Sequence, residues 1–577
     1  MKQQQTVQGL QAVIAVARGA VAADLLLRDA RIVNVFNGDI TRTNVAVKNG
    51  VIAGIGDYTV ALEIIDLAGQ YLLPGLIDGH IHIESSMLTP PAFAAAAVPH
   101  GTTAVVADPH EIANVAGLAG LRYMVEASAG LPLDFFYTIP SCVPASPLET
   151  AGAALGPAEV AQAFALLSSS PALAEMMNYP GVLAGEPALL EKINGARAAG
   201  RQVDGHAPLL SGRDLNAYIA AGITTDHENS MAQEAREKLR LGMTVLIREG
   251  SAAKNLLALL PLVNEHTWPS IAFCSDDRHP GDLLAEGGID HILRRAVAAG
   301  LAPLRAVQLA TINTARHYNL KGRGAIAPGY LADLVVVDNL ENFGVEMVFK
   351  EGRLVARAGK LLDNIPASKP AEVLQKSVHL PELRGRLALP EPPATGARAR
   401  VITVQQGQLL TGMQFLTAAE IDSAEDLARV AVVERHGISG NVATGLVRGF
   451  GPLRGALAST VAHDSHNLII LGSDAAEMEA AARAVAAQGG GLAVVAAGGE
   501  ERAVLPLPVA GLMSDAGAAS VARRHALLCD AAREIGCTLP HPFMALSFLS
   551  LPVIPELKIT DRGLVDVNRF TLVDLWT

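Results

Sequence analysis

The sequence predicts an α/β protein with a (β/α)8 TIM-like barrel, a small β-sandwich domain built from both flanks of the barrel, and a C-terminal mixed α/β domain. Eight short β-branched runs alternate with Ala- and Leu-rich runs between residues 74 and 320. Strand-rich stretches flank this unit, and a mixed region follows a Pro-rich linker. The 577 residues leave room for all of these parts, because one such barrel takes about 250 residues.

Composition excludes several classes of protein. Half of the residues are hydrophobic and 18% are charged, which excludes a disordered chain. Only 4% are aromatic, as is typical of buried parallel strands covered by Ala- and Leu-rich helices. The net charge of −12 argues against nucleic acid as a partner. Four scattered cysteines cannot form a disulfide framework, so we expect a reducing cytoplasm.

Residues 1–73 are expected to hold an N-terminal helix and the first part of the small β-domain. The apolar stretch 10–27 is interrupted by Arg18 and Asp24 and lacks a signal-peptide cleavage pattern. We therefore expect an amphipathic helix and no membrane association. Turn sequences at residues 37–39 and 49–50 predict hairpins. A similar pattern returns at 325–357, so residues 321–365 should complete the same domain.

Residues 74–320 are predicted to form the barrel. The eight strand candidates are 75–82, 102–110, 135–143, 171–176, 202–207, 223–228, 244–250 and 270–277. Helical segments such as EIANVAGLAGLRYMVEASA and GDLLAEGGIDHILRRAVAAG lie between them. Pro171 and Pro180 crowd the fourth strand. This repeated βα order predicts a parallel barrel.

The remaining chain is predicted to be a linker, 366–400, and a mixed α/β domain, 401–577. The linker is rich in Pro, Ala and Arg, as in LALPEPPATGARAR. In the domain, VITVQQGQLL and LAVVAAGG are typical of strands, and DAAEMEAAARAVAAQGGG is typical of a helix ended by glycines. We therefore expect a further folded unit after the barrel.

Histidines and acids fall at the ends of the predicted strands. The residues are His80, His82, Glu175, His206, His227 and Asp276. Strand alternation puts the first two imidazoles on one side, and the carboxyl ends of barrel strands surround one mouth. Four imidazoles and two carboxylates can hold two divalent cations such as Zn²⁺, Mn²⁺ or Fe²⁺. Glu186 is the rival of Glu175, and Asp277 is the rival of Asp276.

This ligand pattern predicts hydrolysis at an electrophilic carbon of an amide, amidine or ring amine. Two cations would lower the pKa of a shared water, giving a hydroxide nucleophile, and Asp276 could take its proton. Glu175 could bridge the cations. Further polar residues at the rim are candidates for proton transfer (His110 and Glu111) and for substrate binding (Ser141, Glu228, Arg248 and Asp277).

Other motifs were weighed against this interpretation. His82-Ile83-Glu84 fits H-x-E, but no P-C-x-x-C follows, which excludes a cytidine-deaminase-like zinc site. There is no Walker A loop and no GxGxxG that opens a dinucleotide-binding unit. The segment VAHDSHN, residues 461–467, holds His463, Asp464 and His466. It could be another metal site, a loop that closes over the barrel mouth, or a support for its own domain.

Long blocks of the sequence resemble the amidohydrolase superfamily and, within it, the bacterial adenine deaminases. These blocks are IDGHIHIESSMLTP, VVADPHEIANVAG, AEMMNYPGVL, DGHAPLLSGRDLNAYIAAGITTDHE, LRLGMTVLIREGSAAKN, CSDDRHP, VRGFGPLRGALASTVAHDSHN and LPVAGLMSD. The likeness spans nearly the whole chain, and the six candidate ligands match the family's motif positions.

The resemblance implies hydrolysis of adenine to hypoxanthine and ammonia, in purine salvage, at a centre of two divalent cations, manganese or iron rather than zinc. It implies a small purine substrate, and we expect a homo-oligomer, a dimer or larger. Two alternatives remain: a two-metal amidohydrolase acting on another nitrogen heterocycle, and a non-catalytic metal-binding scaffold.

Overall fold

The computed structural model describes residues 6–366, 368–405 and 410–577. The last residues of the predicted strand VITVQQGQLL and one linker residue therefore lie outside the described part. The N-terminal elements are helix α1 (Val7–Ala17) and strands β1 (Ala23–Val33), β2 (Ile40–Lys48), β3 (Val51–Gly56), β4 (Ala61–Asp66) and β5 (Tyr71–Pro74). The apolar N-terminal stretch is thus helical only to residue 17, and its end belongs to β1.

Strands and helices alternate through the central part. The strands are β6 (Leu76–Ile81), β7 (Thr102–Ala107), β8 (Asp134–Tyr137), β9 (Ala172–Met176), β10 (Gln202–Gly205), β11 (Thr225–Asp226), β12 (Thr244–Arg248) and β13 (Ile271–Cys274). The helices are α2 (Pro90–Ala97), α3 (His110–Ala127), α4 (Pro157–Leu166), α5 (Tyr179–Leu183), α6 (Pro187–Ala198), α7 (Gly212–Ala221), α8 (Ala232–Arg240), α9 (Leu256–Leu259), α10 (Pro280–Ala285), α11 (Ile289–Ala298), α12 (Pro303–Leu309) and α13 (Ile312–His317). Each of the eight predicted strands contains an observed strand, the proline-crowded fourth included.

These eight strands are parallel and lie in three short sheets, β6–β7–β8, β9–β10 and β11–β12–β13. Backbone hydrogen bonds join neighbouring sheets. Ile139 N–H donates to the Ala172 carbonyl and Ala174 N–H to the Ile139 carbonyl, while Thr224 N–H donates to the Val203 carbonyl. The strands β13 and β6 approach closely at Gly79, where a Cβ atom would lie 2.8 Å from the Phe273 carbonyl oxygen. A glycine is needed there because any side chain would push the two strands apart.

Both flanks of the central part contribute to one sheet. After α13 come β14 (Leu334–Val337), β15 (Val345–Lys350), β16 (Arg353–Arg357) and β17 (Lys360–Leu361). Their order with the N-terminal strands is β17–β16–β15–β14–β5–β1–β2–β3, with β4 also paired to β1. The expected sandwich is therefore one nine-stranded hydrogen-bonded sheet. Strand β1 is long enough to pair with β4 along its first half and with β5 near its end, and it therefore joins these two strands in one sheet.

The C-terminal region is a separate mixed α/β unit. Its helices are α14 (Glu372–Gln375), α15 (Ala418–Ser423), α16 (Ala475–Ala487), α17 (Ala518–Glu534) and α18 (Pro542–Ser547). Its strands are β18 (Arg398–Val404), β19 (Thr411–Thr417), β20 (Ala428–Val433), β21 (Val442–Arg448), β22 (Gly455–Ser459), β23 (Leu468–Gly472), β24 (Gly491–Ala496), β25 (Glu501–Pro506), β26 (Leu557–Thr560), β27 (Gly563–Asp566) and β28 (Thr571–Val573). The first eight strands form one sheet in the order β19–β18–β21–β20–β23–β22–β24–β25, and the last three form another.

The loop between β22 and β23 docks this unit on the central part. Ser465 Oγ donates to Glu149 Oε2 at 2.6 Å, and Asn467 Nδ2 donates to the Thr150 carbonyl at 2.8 Å. These side chains are buried, so the contact between the two parts lies in the protein interior. Within the described residues, no helix has the length and apolar character required to cross a membrane.

Candidate metal centre and reaction cavity

The end of β6 brings two imidazoles together. His80 and His82 are two residues apart, so their side chains leave the strand on the same side. Their Nε2 atoms lie 3.1 Å apart, and both side chains are buried. His82 Nδ1 lies 3.1 Å from the Asp108 carbonyl oxygen, which accepts a hydrogen bond from the N–H at that position. This bond fixes the tautomer and leaves the Nε2 lone pair free to bind a cation.

Glu175, at the end of β9, lies between two pairs of imidazoles. Its Oε1 is 3.3 Å from His82 Nε2 and 3.9 Å from His80 Nε2. Its Oε2 is 2.7 Å from His206 Nδ1 and 3.2 Å from His227 Nε2. Each carboxylate oxygen therefore faces its own pair of nitrogens, as in a carboxylate that bridges two cations.

Asp276 follows β13 and completes the cluster. Its Oδ1 lies 3.2 Å from His82 Nε2 and 3.5 Å from His80 Nε2. Its backbone has φ 56°, a left-handed conformation that is costly for a residue with a side chain and is often found at functional sites. The Asp277 side chain makes a different contact, because its Oδ1 accepts a hydrogen bond from Ser85 Oγ at 2.5 Å.

The donor set fits two divalent cations. His80, His227 and Asp276 offer ligand atoms that all lie within 4.8 Å of one another, and so do Glu175, His206 and His227. Imidazole and carboxylate donors without thiolates suit Zn²⁺, Mn²⁺ or Fe²⁺. The four imidazoles and both carboxylates are buried with their nitrogen and oxygen atoms close together, which is the arrangement expected around divalent cations.

A buried arginine balances the acids. Arg248, at the end of β12, donates from Nη1 to Asp276 Oδ2 at 2.6 Å and from Nη2 to Glu228 Oε2 at 2.9 Å. Burial alone would raise the pKa of Asp276, but the Arg248 charge and the hydrogen bonds from His80 and His82 hold it well below its ordinary value. Asp276 is therefore ionised in this arrangement.

A second buried cation supports the strand that carries His227. Lys238 of α8 is fully buried, donates to the neighbouring Asp226 carboxylate, and donates to Glu234 Oε1 at 2.8 Å. Burial raises the pKa of Asp226, yet the Lys238 charge brings it below its usual value. This ion pair fixes the end of β11 from behind the cluster.

Two further carboxyls share one hydroxyl at the edge of the cluster. Ser85 Oγ lies 2.8 Å from Glu111 Oε1 and 2.5 Å from Asp277 Oδ1. Burial raises the pKa of Glu111 well above its ordinary value, and the nearby Glu84 charge adds to the effect. A hydroxyl has one proton, so both contacts are hydrogen bonds only when one of the two carboxyls is protonated.

His110 connects the central part to the C-terminal unit. Its Nδ1 lies 3.0 Å from Asp108 Oδ2 and 3.5 Å from Glu175 Oε1. On its other side, Nε2 lies 3.6 Å from Asp464 Oδ1. A proton on His110 therefore has carboxylates on both sides of the ring, one of them supplied by the C-terminal unit.

Apolar side chains of the C-terminal unit cover the cluster. Phe548, Leu551 and Ile554 line the same small cavity as His463, Asp464 and the candidate ligands. The cavity has a volume of about 30 Å³. His463 stacks on Phe548 with 4.5 Å between ring centroids and 20° between ring planes. We call these five residues of the C-terminal unit the roof.

The geometry of the 461–467 segment favours its closing role over another metal site. Glu111, His463 and His466 offer ligand atoms within 4.8 Å of one another. However, the Ala462 N–H donates to His466 Nδ1 at 3.2 Å. A neutral histidine that accepts at Nδ1 carries its proton on Nε2, and that nitrogen then cannot coordinate a cation.

Two sequence candidates lie away from the cavity. Ser141, expected to bind the substrate, is buried, and its hydroxyl donates to the Glu175 carbonyl at 2.5 Å. It therefore supports the backbone of β9 and does not line the cavity. Glu186 is exposed and is the N-cap residue of α6, as its helix-entry interpretation predicts. His110, Glu111, Glu228, Arg248 and Asp277 all line the cavity.

Sequence reasoning missed the three apolar members of the roof and Ser85. Phe548, Leu551 and Ile554 come from an ordinary apolar run, LSFLSLPVIP, that carries no chemical signal. Ser85 follows the His-x-His pair by three residues and could have been noticed for that reason alone.

Known protein families and relatives match nearly the whole length of this chain. Residues 71–355 match the model of the amidohydrolase family, and residues 403–571 match that of the adenine deaminase C-terminal domain. A protein of Desulfatibacillum aliphaticivorans named adenine deaminase is 48% identical, over 98% of this chain and 99% of its own. One of Syntrophobacter fumaroxidans with the same name is 49% identical, over 98% of each chain. Among solved structures, a β-aspartyl dipeptidase of Fervidobacterium islandicum covers 60% of this chain and 99% of its own, at 16% identity and a TM-score of 0.46.

Proposed function

Since the chain belongs to the adenine deaminase family of the amidohydrolases, we propose that it hydrolyses adenine to hypoxanthine and ammonia. The observation that carries the proposal is the position of Glu175, whose two oxygens each face a pair of imidazoles at the floor of a closed cavity. The relatives that match nearly the full chain bear the name of this activity, which narrows the substrate to adenine.

We assign the cations to His80, His82, His206, His227, Glu175 and Asp276, with manganese or iron preferred to zinc. When bound, two such cations would supply a nucleophile near neutral pH by lowering the pKa of water. The chain's own part is to present neutral imidazoles. The Asp108 carbonyl does this for His82 by accepting a hydrogen bond from the N–H at Nδ1.

Asp276 is the proposed proton acceptor. Arg248 pairs with its Oδ2, so Oδ1 is the oxygen that faces the cluster and can receive a proton. The same guanidinium holds Glu228 against the cavity wall, which orients that carboxylate for hydrogen bonding to the substrate.

The carboxyl pair at Ser85 is the proposed proton donor. Addition of water to C6 of adenine makes a tetrahedral carbon, and the electron pair moves to N1, which must gain a proton. The exocyclic amine then needs another proton to leave as ammonia. Glu111 and Asp277 line the cavity on either side of Ser85, and this pair would give its proton to N1. Asp276 would pass the first proton taken from the attacking water to the exocyclic amine, and the second water proton would return to the carboxyl pair when the C6 carbonyl forms. Adenine and water are thereby converted to hypoxanthine and ammonia without a net change in protons.

We further propose that the eight parallel strands close into a (β/α)8 barrel over residues 74–320. The hydrogen bonds between the three short sheets support closure, as does the contact of β13 with β6 at Gly79. The proposed division of the chain is 1–73, 74–320, 321–365, 366–400 and 401–577, although strand β18 begins at Arg398, before the last of these boundaries. A homo-oligomer and a cytoplasmic location complete the proposal, and the four unpaired cysteines are consistent with the latter.

The test compares Glu175→Gln with Glu186→Gln in protein reconstituted with manganese or iron under anaerobic conditions. We expect the native protein to release ammonia from adenine and chelation to abolish this release. Glu175→Gln should lower both the bound metal and kcat, by about a hundredfold or more for kcat. Glu186→Gln should match the native protein, because that residue is exposed at a helix start.

Other outcomes would contradict the proposal. Full activity after chelation would exclude a metal-dependent reaction. Ammonia release from another nitrogen heterocycle, but not from adenine, would favour the alternative substrate class. Metal binding without turnover of any heterocycle in a panel would favour the non-catalytic scaffold.

A further inference from the structure

The reaction cavity is too small for the substrate in this conformation. Its volume of about 30 Å³ is roughly the volume that one water molecule occupies in liquid water. Benzene fills an apolar cavity of roughly 150 Å³, and a purine is a larger, fused ring system. A side chain that borders the cavity must therefore move before adenine can reach the cluster.

The floor of the cavity is not the part that can move. Glu175 and Asp276 contact several imidazoles, and Arg248 is bonded to two carboxylates. Displacing any of these groups would leave buried charges without partners, which is strongly unfavourable. Three members of the roof, Phe548, Leu551 and Ile554, are apolar and have no such constraint.

Phe548 is the roof residue with space behind it. It borders the reaction cavity and also a second cavity of about 280 Å³. The second cavity is lined in part by Leu539, Met544 and Ala545, an apolar surface that suits a phenyl ring. Since benzene fits in roughly 150 Å³, this cavity can receive the Phe548 ring.

The backbone of Phe548 is held by a hydrogen bond, whereas its ring makes none and borders both cavities. Lys558 Nζ donates to the Phe548 carbonyl at 3.0 Å, and the residue begins a short 3-10 turn after α18. A change in the side-chain rotamer is therefore sufficient to vacate the site, and no rearrangement of the segment is needed.

We propose that the purine ring binds where the Phe548 ring now lies, stacked on His463, while Phe548 turns into the 280 Å³ cavity. His463 is 4.5 Å from Phe548 in a stacked arrangement, so it presents a flat ring face to this position. The position adjoins Glu111 and Asp277 on the same cavity wall. Phe548 thus competes with the substrate, and His463 is a specificity-determining residue. The inference rests on the proposed function.

The first test varies the competing ring. Apparent affinity is reduced by the fraction of protein in which the site is blocked, so a smaller side chain should bind purine more tightly. We expect Phe548→Leu to lower the Kd for hypoxanthine, measured by calorimetry on the metal-loaded protein, by about threefold or more. The control is Phe543→Leu, a buried change in the same helical segment that does not border the reaction cavity. It should leave that Kd unchanged.

The second test varies the stacking partner. Ring stacking on a nucleobase typically changes affinity by roughly tenfold or more when it is removed. We expect His463→Leu to raise the Kd for hypoxanthine and the KM for adenine by about tenfold, and His463→Phe to restore both to within about threefold of the native values. A purely structural role of His463 would give no rescue by the aromatic variant.

The results separate the inference from the function on which it rests. If the native protein does not release ammonia from adenine, the proposed function fails, and the inference with it. If the native protein is active but Phe548→Leu and His463→Leu bind hypoxanthine as Phe543→Leu does, only the inference is overturned. A crystal structure with hypoxanthine bound and Phe548 still stacked on His463 would also overturn it.

Discussion

The floor and the roof of the reaction cavity are built in opposite ways. The floor consists of imidazoles and carboxylates at the ends of parallel strands, and all four imidazoles lie within ion-pair distance of Glu175. The roof comes from two segments of the C-terminal unit and is mostly apolar, with a cavity behind it. Fixed charges can organise the chemistry, whereas weakly constrained apolar rings can admit and select the substrate.

The floor depends on buried cations of the protein itself. Arg248 is bonded to Asp276 and Glu228, and Lys238 is bonded to Asp226 and Glu234. Removing one partner of such a pair leaves an uncompensated buried charge, at a cost of about 3–5 kcal/mol. Changes in the floor should therefore have larger effects than changes in the roof or its attachments, and the following predictions test that order.

Arg248→Met should have the largest effect. It removes the group that orients Asp276 and Glu228, and we expect kcat/KM for adenine to fall by about 10²–10³-fold. The control is Arg295→Met, because Arg295 pairs with the buried Glu249 at 2.6 Å but does not line the reaction cavity. Equal losses in both variants would show that the effect is one of general stability.

Lys238→Met should affect stability first. We expect the free energy of unfolding, measured by urea denaturation, to fall by about 3–5 kcal/mol, because Asp226 would lose its buried partner. The matched control is Lys376→Met, which removes an exposed pair with Glu372 and should change stability by less than about 1 kcal/mol. Adding Asp226→Asn to Lys238→Met should recover part of the loss. No recovery would mean that the buried charge is not its cause.

Asn467→Ala tests the attachment of the roof. It removes the hydrogen bond to the Thr150 carbonyl and should cost about 1–3 kcal/mol in the free energy of unfolding. Since the roof shapes the substrate position, KM for adenine should rise more than kcat falls. Asn342→Ala, at an exposed position, serves as the control. A fall in kcat alone, with KM unchanged, would contradict this role.

Glu149→Gln should have the smallest effect on catalysis, and its effect should appear as a change in the pH dependence of stability. Burial raises the pKa of Glu149 to about 8, against opposing hydrogen bonds from Ser465 and Ser146. The folded protein keeps this proton up to about pH 8, whereas the unfolded chain loses it near pH 4.3. The contribution to stability is thus complete below about pH 4.3 and declines as the pH rises toward 8.

Urea midpoints at pH 5 and pH 8 measure this decline. The midpoint should fall less between the two pH values in Glu149→Gln than in the native protein. Exposed Glu126→Gln should follow the native protein. If the midpoint of Glu149→Gln falls between pH 5 and pH 8 as much as that of the native protein, this carboxyl is ionised in the folded state.

The floor could be anticipated from the sequence because its signals are local. His80 and His82 are two apart on one strand, and each other candidate follows a short β-branched run. Their convergence needs only the rule that parallel strands end at the same edge. The choice between Glu175 and Glu186 also had a local basis, because the second precedes Pro187, a residue typical of a helix start.

The 461–467 segment of the roof was among the sequence candidates, but the apolar members of the roof could not be anticipated in this way. Phe548 lies in an apolar run that resembles any buried segment, and its proximity to His463 results from packing within the C-terminal unit. The single nine-stranded sheet, where a sandwich was expected, likewise depends on pairing partners distant in sequence.

The sheet shared by the two flanks has a consequence for synthesis of the chain. Strand β5 pairs with β14, so Pro74 and Leu334 are neighbours although all of the residues from β6 to α13 lie between them. A nascent polypeptide cannot complete this sheet before the catalytic strands have left the ribosome. Early folding intermediates should then expose the edge of β5, making them the stage most vulnerable to aggregation.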